Sequence, residues 1–132
     1  MIRFFLVAMM SVGLMACVEQ GPSVEGKWAW FDVASCEGDL DTIELSGTSF
    51  TRRLNGEVAR LGRDLAYRQT DEEGASRVTA IYLWETEAAS RTVTITFELQ
   101  GSDVLIYRGS TIDGQVPAGA AANLGRELFR CS

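Results

Sequence analysis

The sequence predicts an all-β protein, a single antiparallel eight-stranded barrel. Three observations carry that expectation. From Gly26 onward apolar and polar residues alternate with period two, as in strands with one dry face and one wet face. Turn signals recur at short intervals, and eight candidate strands fit before the C-terminus. Two cysteines, Cys36 and Cys131, stand beside the first and last of those strands. Closely spaced strands build a barrel or a sandwich. A bridge between Cys36 and Cys131 would set the last strand beside the end of the first, which suits the closed barrel.

The first strand is expected over residues 27–33. Trp28, Trp30 and Asp32 share one face, and Ala29, Phe31 and Val33 share the other. Residues 41–46 and 49–54 are the next two strands, joined at Gly47-Thr48. Asn55-Gly56 then turns the chain, because both residue types tolerate positive φ. Residues 57–69 read as one longer strand, kinked or bulged at Gly62. Asp71-Glu72-Glu73-Gly74 is the following turn, and its charges guard the hairpin tip. Residues 77–85 are apolar on both faces, so one face should meet the core and the other an aromatic or covered surface. Residues 91–100 alternate most cleanly. Val93, Ile95, Phe97 and Leu99 point one way and the threonines with Glu98 the other. Residues 103–108 and about 125–131 complete the eight. The longest connection, 109–123, contains an alanine-rich stretch near 117–124 headed by Pro117. That stretch is either a short helix closing one end of the barrel or a mobile loop. No other segment has a helical period.

Composition limits the chemistry. The 132 residues carry 18 acids against 12 bases, a net charge of −6. That balance argues against nucleic acid as a partner, since phosphates need a basic excess. There is no histidine, which removes Ser-His and Cys-His nucleophiles and histidine metal sites. Lys27 is the only lysine, so the serines lack a visible base. Nothing selects one carboxylate pair for glycoside chemistry. The expectation is a non-enzymatic protein with no cofactor and no metal.

The N-terminus has a different composition. All four methionines fall within the first fifteen residues, behind a positive end at Met1 and Arg3. Residues 4–18 are uncharged, but a transmembrane helix needs about 20. A positive end, a short apolar middle and a small residue before a cut are the features of a secretory signal. Leu14-Met15-Ala16-Cys17 resembles the lipobox of bacterial lipoproteins. The resemblance implies cleavage after Ala16, acylation of Cys17 and a membrane anchor, since several acyl chains on one residue hold a protein stably. Val18 stands where those lipoproteins can carry an inner-membrane Asp signal, which implies the outer membrane with the domain facing the periplasm. The expected division is therefore 1–16 signal peptide, 17–25 lipidated cysteine and tether, and 26–132 barrel. Cys36 and Cys131 remain as an even pair in an oxidising compartment, which reads as a disulfide.

Gly26-Lys27-Trp28 resembles the Gly-X-Trp motif that opens the first strand of lipocalins and related calycins. The resemblance implies an eight-stranded up-and-down barrel whose closed end is plugged by the Trp. Small calycin-like bacterial protease inhibitors also begin with Gly-X-Trp followed by a cysteine.

Two Trp on one face of the first strand suit either a ligand pocket or a packed core. Trp28, Tyr82 and Phe97 are the candidate ligand-binding residues. Arg52, Arg53, Arg60, Arg63 and Arg68 form a basic cluster. It suits an anion or lipid-headgroup patch, or solvated strand faces paired with nearby acids. Glu37, Asp39, Asp41 and Glu44, with the 71–73 turn, could steer a cationic partner or simply keep the chain soluble. The expected function is binding of a small apolar ligand or lipid. The alternative is an inhibitor or interaction module for an envelope protein, of the protease- or lysozyme-inhibitor type. A cavity favours the first and a solid core the second.

Overall fold

A computed structural model describes residues 23–72 and 75–132. The expected signal peptide, Cys17, the first part of the expected tether and the tip Glu73-Gly74 lie outside the described residues. Eight antiparallel strands follow in chain order: β1 Gly26–Trp30, β2 Asp41–Ser46, β3 Ser49–Leu54, β4 Glu57–Glu72, β5 Ala75–Glu85, β6 Ser90–Gln100, β7 Val104–Ile112 and β8 Glu127–Arg130. Each strand pairs with the next, and β8 returns to β1, closing the barrel. The up-and-down order expected from the sequence is the order found.

The alternation of β6 places Val93, Phe97 and Leu99 in the core. β5 adds Val78, Ala80 and Tyr82 on the same inner surface. Its outer face is open at Ile81, which is exposed opposite Ala66 of β4. The Asn55-Gly56 turn has both residues at positive φ, 51° and 80°, as a two-residue hairpin requires.

Three local departures from the sequence reading have physical reasons. β1 ends at Trp30 rather than residue 33, because Phe31 takes a left-handed φ of 64°. The chain then turns into a 3-10 segment over Val33–Asp39, started by Asp32, whose carboxylate accepts from the Ala34 N–H. That segment is too short to show a helical period, so sequence reasoning passed over it. β4 is irregular at two places, at Ala59 across from Arg52/Arg53 and between Arg63 and Ala66, not at Gly62, and Asp64 carries a positive φ of 55°. Gly62 has another role. A Cβ there would come within 2.3 Å of the Tyr82 ring, so the bare backbone is what lets the ring lie against β4.

The two ends of the barrel differ. At one end Trp28 is fully buried, its indole N–H donating to the Val24 carbonyl at 2.9 Å. The Arg130 guanidinium lies over the ring, 4.3 Å from its centroid. Arg130 also donates to the carbonyls of Ser23, Glu25 and Ser102 at 2.6, 2.7 and 2.9 Å. Val24 is itself buried, so the packed body begins before Gly26. This end is closed. The connection after β7 crosses the other end, with a 3-10 turn at Ala120–Asn123. The helical alternative for the 117–124 stretch is therefore the one realised, as one short turn.

Cys36 and Cys131 form a disulfide, with Cα atoms 5.7 Å apart and 95 residues between them in sequence. Cys131 follows β8 directly and donates its N–H to the Lys27 carbonyl of β1 at 2.8 Å. The bridge thus fastens the closing strand to the segment that follows the opening strand. On that segment Asp39 accepts from the Lys27 ammonium at 2.7 Å. The hydrogen bond holds the Asp39 carboxyl below its ordinary pKa.

Candidate functional site

Protein interiors pack with few voids larger than a water molecule. The lower half of this barrel follows that rule, with Trp28, Leu45, Val78, Leu99, Leu105 and Leu128 buried together. The upper half holds a cavity of about 270 Å³. Ile43, Phe50, Val93, Ile95 and Phe97 give it an apolar wall, and Arg52, Arg60, Tyr82, Tyr107 and Ser110 bring polar groups to the same space. The roof is Pro117 to Ala120 with Asn123, from the connection that crosses this end. Ligand pockets commonly measure about 300–1,000 Å³, so this one suits a small molecule.

The aromatic walls are ordered by mutual packing. Phe50 and Tyr82 stack at 4.1 Å between centroids and 10° between planes. Tyr107 meets Trp30 edge-on at 5.5 Å and Phe97 at 6.3 Å. Such offset and edge contacts fix ring orientation. The Tyr107 hydroxyl is hydrogen-bonded to Ser110 Oγ.

The three residues singled out from the sequence fall in two places. Tyr82 and Phe97 line the cavity. Trp28 does not; it belongs to the plug at the closed end. Its neighbour on the same strand face, Trp30, lines the cavity in its place.

Two of the other lining residues, Arg52 and Arg60, come from the basic cluster that the sequence offers as an anion patch or as solvated strand faces. The basic cluster divides by strand parity. Arg52 is opposite Ile43 and shares its inward face, whereas Arg53 pairs on the outside with Glu44 at 3.2 Å. Arg63 is on the exposed surface, paired with Asp64 and Glu85. Arg60 turns inward for a reason the sequence does not display. The Asn55-Gly56 hairpin sets Leu54 opposite Glu57 and Arg53 opposite Val58. Regular continuation would place Arg60 opposite Thr51, on the outer face. A bulge between Arg52 and Arg53 shifts the register so that Arg60 stands opposite Arg52 instead. A one-residue slip moves a side chain to the other face, and here it brings a second guanidinium into the cavity.

The polar contacts of this pair are incomplete. Arg52 Nη2 reaches Asp41 Oδ1 at 3.4 Å, while burial pushes the Asp41 carboxyl up against the opposing pull of Arg52. Arg60 lies over the Trp84 ring at 4.0 Å and donates to the Tyr82 hydroxyl at 3.3 Å. Burial raises the pKa of that hydroxyl, so it keeps its proton. The buried Trp30 Nε1 and Arg52 Nε have no hydrogen-bond partner among the described residues. Among the described residues no three His, Cys, Asp or Glu side chains converge as a metal site would need.

No protein-family model, curated protein or solved structure matches the chain.

Proposed function

We propose that this protein binds a small, largely apolar molecule inside its barrel, as a non-enzymatic carrier or sensor held at the bacterial outer membrane by a lipid on Cys17. The single observation that carries the binding reading is the 270 Å³ cavity between the packed lower half and the 117–123 roof. A module that worked only through its outer turns would have no use for that void, and a filled interior would be more stable. The fold adds support, since a closed eight-stranded barrel is just wide enough to hold one small ligand. The anchor rests on the lipobox-like Leu14-Met15-Ala16-Cys17. Chain geometry is compatible with it. Ser23 reaches the barrel at the closed end, where Arg130 holds its carbonyl. The mouth therefore opens away from the end at which the tether arrives.

The test is a calorimetric titration with octanol, a neutral chain of suitable size. Wild-type protein is expected to bind it at one site. Ile95→Trp fills the cavity from the middle of β6 and is expected to lower the affinity by about tenfold or more. Its thermal midpoint should stay near that of the wild type, because the new ring occupies empty space. Equal binding by the two proteins would place octanol elsewhere and remove the reading.

A further inference from the structure

We propose that the cavity contains an oxyanion subsite, formed by Arg52 and Arg60 with the Trp30 indole N–H and the Tyr82 hydroxyl, and that its ligand is a short amphiphile with an anionic head. This deepens the binding reading above and rests on it.

The charge arrangement is the first argument. Arg52 and Arg60 stand directly opposite each other on paired strands and face the same cavity. Like charges directly opposite on a sheet repel. Among the described residues only one carboxylate touches either guanidinium, Asp41 at 3.4 Å from Arg52. Arg60 has no carboxylate partner among the described residues. A bound anion would supply the missing negative charge.

Unpaired donors are the second argument, independent of the first. Buried N–H groups nearly always find an acceptor. Trp30 is only 6% exposed, yet its Nε1 has no partner among the described residues, and neither has Arg52 Nε. Both side chains line the cavity. The Arg52 guanidinium carbon lies 5.9 Å from the Trp30 ring centroid, so the two orphan donors share one region. Tyr82 accepts from Arg60 and still has its own proton to give. Four donor groups of this kind match an oxyanion, which offers acceptors only, and a guanidinium edge suits it bidentately. A neutral alcohol or a cation would leave most of them unsatisfied.

Size sets the rest of the ligand. At about 270 Å³ the cavity lies at the small end of ligand pockets, which suits a short chain. Ile43, Val93, Ile95 and Phe97 offer the apolar wall for the chain.

The test compares octanoate, octyl phosphate, octanol, octylammonium and inorganic sulfate on the full folded domain. Binding is read by calorimetry and by the indole N–H resonances. The Trp30 resonance is identified by its loss in Trp30→Phe. Octanoate or octyl phosphate is expected to bind about tenfold tighter than octanol, with octylammonium weakest. The stronger of the two anions names the head group. The Trp30 indole resonance should move downfield with either anion and stay with octanol. Trp28, already bonded to Val24, should not respond. Arg52→Gln and Arg60→Gln are each expected to lose about tenfold for the anions while keeping octanol binding within about twofold. Octanol binding as tightly as both anions would overturn the subsite and leave the cavity reading standing. Absence of binding by all the octyl compounds would overturn both. Sulfate alone matching the octyl anions would overturn the amphiphile. If neither variant folds, the anion-to-octanol ratio and the Trp30 resonance in the wild type decide the matter.

Discussion

Trp28→Ala is expected to cost about 3–5 kcal/mol of folding stability, the range for truncating a fully buried large aromatic. The indole is the plug of the closed end, and three things fail with it. Its buried volume is left as a void among Val24, Leu45 and Leu128. The Val24 carbonyl loses the N–H that reaches it at 2.9 Å. The Arg130 guanidinium loses the ring face 4.3 Å away, although its bonds to Ser23, Glu25 and Ser102 remain. Trp30→Ala supplies the contrast on the same strand face. That ring borders an existing void and its N–H has no partner among the described residues. Its removal should therefore cost clearly less than that of Trp28. Urea unfolding with an unchanged m value is the measurement. Equal losses for the two tryptophans would refute the distinction between a solid lower half and a hollow upper half.

Removing the disulfide is the second large effect. Cys36→Ser with Cys131→Ser, or reduction of the wild type, is expected to lose about 2–5 kcal/mol. Part of that loss lies in the unfolded chain, which a link spanning 95 residues restricts. Part lies in the closing strand. β8 has only four residues and must pair on both edges, with β1 and with β7. Its other anchors are the buried Leu128 and the hydrogen bonds of Arg130. Amide exchange should therefore rise first at residues 127–131 and at their β1 partners Trp28, Ala29 and Trp30. Uniform exchange across all eight strands after reduction would contradict this local account. Unchanged stability would contradict the larger one.

The parts of the fold that were legible are those governed by a local rule. Residues 91–100 alternate because one face is dry, and Asn55-Gly56 turns because both residues accept positive φ. The cysteine pair placed the first and last strands together before any register was known. The illegible parts depend on longer-range or single-residue geometry. Phe31 has no sequence signal for a left-handed φ, yet that torsion ends β1 and turns the chain into the 33–39 segment. The outer face of β5 reads as meeting an aromatic or covered surface because Ile81 and Leu83 are apolar, but Ile81 is exposed and no element among the described residues packs over it. For the site, Tyr82 and Phe97 lie on strands whose inward parity is plain. Trp28 and Trp30 share a face, and only the packing depth along the barrel tells plug from cavity wall. Arg60 is the clearest case. Its parity from the hairpin points outward, and the bulge at Arg52/Arg53 reverses it. A bulge of this kind follows from strand pairing and leaves no mark in composition or spacing.

The central claim is that the hollow upper half of the barrel is a ligand site. Mapping backbone amide shifts while octanol is added tests it most directly. The largest shifts are predicted at Ile95, Tyr107 and Ser110 and across residues 117–123, with little change around Trp28 and Arg130. Shifts confined to the exposed Tyr67 and Ile81 surface, or no shift at saturating octanol, would contradict the claim.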